Sequence, residues 1–319
     1  MKILVTGSSG HLGQALLRSL PDSGHQLVGV DLRPSPFTHH VGSICDRAFI
    51  ARCMRGMDAV IHTATLHKPQ VATHSRQAFV DTNISGTLNL LEAAAEQGLG
   101  AFVFTSTTSL FGAALTPAPD QPAAWITEDV QPVPKNIYGV TKLAAEDLCQ
   151  LIHRLHGLPT LVLRTSRFFL AVDDEDMQRS GLADANLKVN ELLHRRVDLQ
   201  DAVDAHRLAL ERAPAIGHGR YIISATSPFS VHDAAAVRQE LPAVVRRLVP
   251  AYEAEYQRRG WRLPPCIDRV YVNDKAQREL GWSPRHDFRF AMERLREGAD
   301  YRSPLARAIG PRAQSTPPA

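Results

Sequence analysis

The sequence predicts an α/β fold: a doubly wound parallel sheet with a smaller C-terminal lobe. Three observations lead there. Short apolar, β-rich runs alternate with helical stretches along the first 165 residues, and such alternation builds a parallel sheet with right-handed crossovers. The strands are apolar throughout, as expected where helices cover both faces. A glycine-rich turn, VTGSSGHLG (5–13), joins the first strand to the first helix.

KILVT (2–6) is the first strand, and HLGQALLRSL (11–20) has helical spacing. QLVGVD (26–31) is a second strand, DRAFIARCM (46–54) a helix and DAVIH (58–62) a third strand. A long helix is predicted over about 74–98, with Ala78, Ile84, Leu88, Leu91 and Ala94 on one side. AFVFTS (101–106) follows as a fourth strand, then a helix over about 138–156, then TLVLRT (160–165) and RYIIS (220–224). Regularity breaks near residue 166. Residues 166–195 and 226–300 read as the smaller, substrate-binding lobe, with a short helix near 231–238, a charged helix near 242–259 and a segment AQRELGW (276–282). Residues 1–165 form the dinucleotide-binding domain, whose sheet is completed by about 196–225. From Tyr301 the chain is rich in Pro, Ser and Ala, which predicts a disordered tail over 301–319.

Bulk properties exclude several classes. The formal net charge is +3 over 319 residues, with no dense Lys/Arg stripe, so nucleic acid is not an expected partner. Cys45, Cys53, Cys149 and Cys266 are scattered with no C-x-x-C pair, which suits a reducing, cytoplasmic compartment. There is no H-E-x-x-H among the 14 histidines, and no metal is expected. The N-terminal apolar run is too short for a signal-peptide core, and no stretch approaches the length of a membrane span.

Gly7, Gly10 and Gly13 give a G-x-x-G-x-x-G spacing after a strand and at the opening of a helix, the context a Rossmann dinucleotide site requires. Glycine lets backbone N–H groups approach a pyrophosphate, and the helix N-terminus adds orphan donors. His11 and Leu12 belong to the same turn. Asp31 ends the second strand 18 residues after Gly13. A carboxylate there accepts from ribose hydroxyls and repels a 2′-phosphate, so NAD is the expected cofactor rather than NADP. Arg33 softens that choice.

NIYGVTK (136–142) sets Tyr138 and Lys142 one helical turn apart among packing residues. Either both side chains reach solvent, or the lysine acidifies the phenol.

Further segments bear on that choice. DAVIHTAT (58–65), NISGTLNLLEAA (83–94), STTSLFG (106–112), YGVTK (138–142) and ELGWSP (279–284) follow the glycine turn in order. Together they resemble the extended short-chain dehydrogenase/reductases, the NAD-dependent epimerase/dehydratase family, strongly over 1–165 and loosely beyond. The resemblance implies Tyr138, Lys142 and Thr107 as the catalytic set. Tyr138, with an ordinary pKa near 10, needs a nearby cation to act as base. Lys142 supplies it and bonds the nicotinamide ribose. Thr107 is placed by counting back from Phe111-Gly112; Ser106 and Thr108 are its neighbours. Thr63, Ala64, Thr65 and Thr105 line the cofactor, Ser43 and Ile44 flank the adenine, and Asn83 supports the active-site end of the fourth strand. Thr107, Thr108, Tyr138 and Arg167 face the substrate. His62 packs below the site, and His67 and Lys68 fall where family members approach cofactor or substrate.

Four departures stand out. Ser43 replaces an acid, Phe111 replaces a tyrosine, and Thr165, Ser166 and Arg167 stand where many sugar-nucleotide enzymes have P-x-N. The 25 residues between Phe169 and RRVDLQDAVDAH (195–206) are a shorter link than those enzymes use. That favours a smaller substrate, or a clamp built from the helix near 242–259, with Arg167, Arg195, Arg196 and Arg269 as anion contacts. The resemblance implies hydride transfer at a secondary alcohol of a sugar or nucleotide sugar. An epimerase that retains NAD and a dehydrogenase that releases NADH both fit. A non-catalytic dinucleotide sensor of the NmrA type is remote, because such regulators lose the Tyr/Lys pair. A homodimer through the helices at about 74–98 and 138–156 is also implied.

Overall fold

The computed structural model describes residues 1–171, 177, 178 and 180–311. Seven strands form one parallel sheet: β1 (Lys2–Thr6), β2 (Gln26–Asp31), β3 (His40–Val41), β4 (Ala59–His62), β5 (Ala101–Thr107), β7 (Thr160–Thr165) and β8 (His218–Ile223). Their order is β3-β2-β1-β4-β5-β7-β8, so chain direction across the sheet reverses at β1/β4. Open α/β sheets bind ligands at the carboxyl ends beside such a switch point.

The pleat sorts side chains into two cores. Ile3, Val5, Ala59, Ile61, Val103, Leu161 and Leu163 face α1 (His11–Ser19) and α7 (Leu199–Ile216). Leu4, Val60, Phe102, Phe104 and Val162 face α2 (Arg47–Met54), α4 (Gly86–Glu96) and α5 (Ile137–His156). Successive strand residues point to opposite faces, so strands apolar throughout bury both.

The lobe has its own core of Val189, Leu193, Val237, Leu241, Tyr256, Phe288 and Met292. It is built from α6 (Asp184–Glu191), α8 (Ala234–Leu248), α9 (Tyr252–Arg259) and α11 (Phe288–Arg296), while α10 (Asp274–Leu280) packs Ala276 and Leu280 into the α1/α7 core of the sheet. Two short parallel strands, β6 (Ala124–Ile126) and β9 (Arg269–Tyr271), join the segment after β5 to this lobe. Among the described residues no helix is long and apolar enough to cross a membrane.

Three expectations are corrected. The helix expected over 74–98 is interrupted: α3 (Arg76–Phe79) runs into a π-helical stretch, Val80–Ser85, before α4. The wider turn re-aims Asn83. The separate helices near 231–238 and 242–259 divide differently. Glu240 kinks α8 at φ −147° and ψ 63°, just before Pro242, and the break between helices falls at Val249–Ala251. Leu241 N–H, released from the helix ladder, donates to Pro265 O at 3.0 Å. The tail expected from Tyr301 is ordered to residue 311. Ser303 caps α12 (Pro304–Ile309), and Ala306 is fully buried against the α1/α7 side of the sheet. Residues 312–319 lie outside the described residues.

Candidate active site

The glycine turn forms a cradle at the end of β1. Gly7 has φ +74°, and a Cβ there would lie 2.6 Å from Thr63 Oγ1 and 2.8 Å from Ala64 N. A Cβ on Gly13 would lie 2.0 Å from Gly7 O. Gly10 caps α1 without a side chain, and the helix ladder starts only at Gln14 N–H to Gly10 O, 2.9 Å. The first amides of α1 are thus left without helix-ladder partners at the end of β1. That shape and donor set fit a dinucleotide pyrophosphate. Asp31 stands beside it: Oδ2 accepts from Ser9 N and Oδ1 from Arg33 N, both at 3.0 Å.

The other expected cofactor residues divide. Thr63 and Ala64 border the cradle, tied to Thr6 by Thr63 Oγ1–H to Thr6 O, 2.7 Å. His11 faces Phe169 with ring centroids 6.3 Å apart. Leu12 and Ile44 are core side chains, and Ile44 packs on Gly86. Ser43 turns its hydroxyl to Cys45 N at 3.1 Å. Thr105 spends its hydroxyl on His206 Nε2, 2.8 Å, and offers its carbonyl to Lys142. Asn83 does not reach β5. Its carbonyl accepts from Thr65 Oγ1 and Leu66 N, both at 2.8 Å, while its amide donates to Leu66 O and Thr141 Oγ1, both at 3.1 Å. The side chain is spent on clamping the loop after β4 to α5, so it has no group left for a cofactor.

Asn136 caps α5 by accepting from Gly139 N at 3.0 Å. The helix then presents Tyr138, Lys142 and Glu146 on its buried face. Thr107, the last residue of β5, accepts from Ser109 N at 3.1 Å, and its hydroxyl acts to lower the Tyr138 phenol. Its neighbours differ: Ser106 donates to buried Glu146 at 2.6 Å, and Thr108 is buried at the start of the next turn. Lys142 Nζ donates to Thr105 O at 2.6 Å and lies 3.9 Å from the centre of the Phe104 ring.

The charges differ from the expectation that Lys142 acidifies Tyr138. Burial pushes the phenol up to about 12, and the Thr107 hydroxyl opposes this. Burial also pulls Lys142 down to about 7, with Glu146 holding it up. In the protein alone desolvation dominates the phenol, and the Lys142 ammonium is turned to the end of β5. Sequence reading missed Glu146 and Arg164, which form a buried ion pair at 2.8 Å under the site. The available signals were a glutamate one turn beyond Lys142 on an apolar face, and an arginine inside an apolar strand.

Arg167 Nη1 reaches Glu191 Oε1 at 2.6 Å, and Arg195 and Arg196 reach the same carboxylate at 2.8 and 3.3 Å. The three guanidiniums hold the Glu191 carboxyl below its ordinary range despite burial. Arg269 adjoins them through His194, whose Nδ1 pairs with its carbonyl at 3.1 Å. Arg167, Arg195 and Arg196 thus converge on one carboxylate beside the carboxyl end of β7. His62 packs below, between Thr6 at 2.7 Å and Thr87 at 3.0 Å. His67 lies beside Tyr138, ring centroids 6.1 Å apart, while Lys68 is exposed.

Residues 3–223 match the NAD dependent epimerase/dehydratase family. The chain is 27% identical over 320 residues to a UDP-glucose 4-epimerase of Streptomyces lividans, covering 89% of this chain and 91% of that one. It is 26% identical over 324 residues to a 3 beta-hydroxysteroid dehydrogenase/Delta 5-->4-isomerase of Mycobacterium tuberculosis, covering 89% and 86%. The chain spans 55% and 39% of the lengths of two further curated relatives. Among solved structures, a short-chain dehydrogenase/reductase superfamily protein from Agrobacterium tumefaciens with bound NAD shares the fold. Its TM-score is 0.65 at 23% identity, covering 94% of this chain and 96% of that one.

Proposed function

This chain belongs to the NAD dependent epimerase/dehydratase family, and from that premise we propose that it oxidises and re-reduces a secondary alcohol of a sugar or nucleotide sugar. The observation that carries the reading is Tyr138 buried on α5 with Lys142 one turn along, whose Nζ bonds Thr105 O just before Thr107, and the glycine cradle at the end of β1. NAD, when bound, supplies the hydride acceptor and a positive charge. Gly7, Gly10, Gly13 and the α1 amides hold its pyrophosphate, and Asp31 its adenosine ribose.

Thr107 and Tyr138 hold the substrate hydroxyl. Tyr138 takes its proton in oxidation and returns it in reduction. Lys142, already donating to Thr105 O, holds the end of β5 and the nicotinamide side of the cleft. Its charge and the cofactor's both favour the phenolate, offsetting the burial that raises Tyr138 in the protein alone.

A second reading, a dehydrogenase that releases NADH, is favoured by the short link between Phe169 and Arg195 and by the likeness to the hydroxysteroid dehydrogenase. One measurement separates the two: denature the purified protein and count the nicotinamide dinucleotide released. Near-stoichiometric NAD supports in-place recycling and the epimerase. Empty protein that binds NAD reversibly supports the dehydrogenase. Protein that neither carries nor binds NAD refutes both.

Val140, Leu151 and Leu155 on α5 are exposed. That stripe supports a homodimer through α4 and α5 as part of the same proposal. Four unpaired cysteines support a reducing, cytoplasmic setting.

A further inference from the structure

Three consecutive residues at the end of β5 meet three successive turns of α5. The Thr107 hydroxyl bears on Tyr138. Thr105 O accepts from Lys142 Nζ at 2.6 Å, and Ser106 Oγ donates to Glu146 Oε1 at 2.6 Å. Tyr138, Lys142 and Glu146 recur every four residues, so they stack along one buried face of the helix. The first two belong to the proposed reaction. The third is a fully buried carboxylate, costly to place there unless it is paired. Arg164 donates to both of its oxygens, and Arg220 Nε lies 3.4 Å from Oε2. Glu146 is therefore kept ionised inside the fold.

Lys142 needs such a neighbour. Its ammonium is buried over the Phe104 ring, and burial pulls it down to about 7. Oxidised NAD, when bound, brings positive charge that disfavours a second cation. The other titratable groups around Lys142 carry no negative charge at neutral pH. On α5, burial keeps Tyr138 a phenol and Cys149 a thiol. His62 at the end of β4 and His67 in the loop after it are held neutral by burial. Glu146 alone among these groups opposes the loss of the lysine's proton, and in a buried setting one such charge acts more strongly than at a surface.

We propose that Glu146 is a positioning residue for the reaction: its carboxylate, kept ionised by Arg164 and Ser106, holds Lys142 as an ammonium in the cofactor-bound site, and Lys142 in turn favours the phenolate of Tyr138. This deepens the hydride-transfer reading above, on which it rests for the roles of Lys142 and Tyr138.

The test follows the 13Cε resonance of Lys142 against pH in the full chain with NAD added. Lys142→Met identifies that resonance among the chain's six lysines. Glu146→Gln should lower its titration midpoint by about one unit or more, the effect of removing a nearby opposite charge. Glu146→Asp, which keeps the charge, should restore most of the midpoint. Glu146→Gln combined with Arg164→Met strands no guanidinium, so it folds even where the single variant does not, and it should lower the midpoint as well. A pair that only ties α5 to the sheet predicts no such shift in folded protein. A midpoint unmoved in the double variant, or lowered as far by Glu146→Asp as by Glu146→Gln, would overturn the proposal. The expected shifts in a protein that does not bind NAD would uphold the hold of Glu146 on Lys142 and sink the hydride-transfer reading instead.

Discussion

Arg164 grips both carboxylate oxygens of Glu146. Its Nε lies 3.2 and 3.1 Å from Oε1 and Oε2, and its Nη2 lies 2.8 Å from Oε2. Glu146 is fully buried and also accepts from Ser106, the residue before Thr107. The pair ties α5 to β5 and β7 directly beneath the candidate active site. Glu146→Ala should cost about 3–5 kcal/mol, because it strands a buried guanidinium. Adding Arg164→Met should recover part of that loss. Urea unfolding of the three proteins measures it, and a single-variant cost under about 1 kcal/mol would contradict the structural role.

Tyr138→Phe removes the proton carrier and keeps the ring that packs on His67. Turnover should fall at least about a hundredfold, with NAD affinity nearly unchanged. Steady-state rates and a NAD titration check both halves. A fully active phenylalanine variant would end the proposed role of Tyr138.

Stability should rise with pH on two limbs. Burial holds His67 and His206 near 4. As pH falls from 6.5 towards 4 the unfolded chain takes up protons that the fold refuses, and stability drops. Lys142 is pulled from 10.5 to about 7. Between those values the unfolded chain keeps a proton the fold has shed, so stability again falls as pH falls. Thermal midpoints measured across the acid and alkaline limbs should show both slopes, and His206→Gln should flatten the acid one. A midpoint falling between pH 7 and 9 in Lys142→Met as steeply as in the parent would remove the lysine from this account.

Asp31 is fixed by two backbone amides at the end of β2. NAD should bind at least about tenfold more tightly than NADP, a gap of about 1.4 kcal/mol, and Asp31→Ala should narrow it. Fluorescence titration with both dinucleotides decides. Tighter binding of NADP by the parent protein would overturn the assignment.

Leu151→Glu with Leu155→Glu places charge on the exposed stripe of α5. Light scattering should give a dimer for the parent and a monomer for the double variant. A monomeric parent at micromolar concentration would refute the dimer.

Local and periodic features were legible in the sequence. The glycine turn, Asp31, Tyr138 and Lys142 depend on spacings within one strand–turn–helix unit or one helical turn. The six strands read from apolar runs all form. Long-range features were not legible. The Glu146–Arg164 pair links residues 18 apart on different elements, and Asn83 reaches Thr141 only because a π turn re-aims it. The Pro- and Ala-rich composition after Tyr301 concealed α12, whose order comes from Ala306 packing into the core and from Ser303 N–H donating to Asp198 Oδ2 at 3.1 Å. Propensity is blind to such tertiary anchors.

β6 and β9 pair Ala124 with Arg269 and Ile126 with Tyr271, across 145 positions of chain. The segment leaving the Thr107 turn therefore gains its partner strand only after residue 271 has been made. A ribosome-bound chain stopped after β7 would carry Tyr138, Lys142 and Thr107 yet leave β6 with no partner strand. Closing a loop over that contour costs more chain entropy than the local turns that build the glycine cradle, so β6 is expected to settle after them.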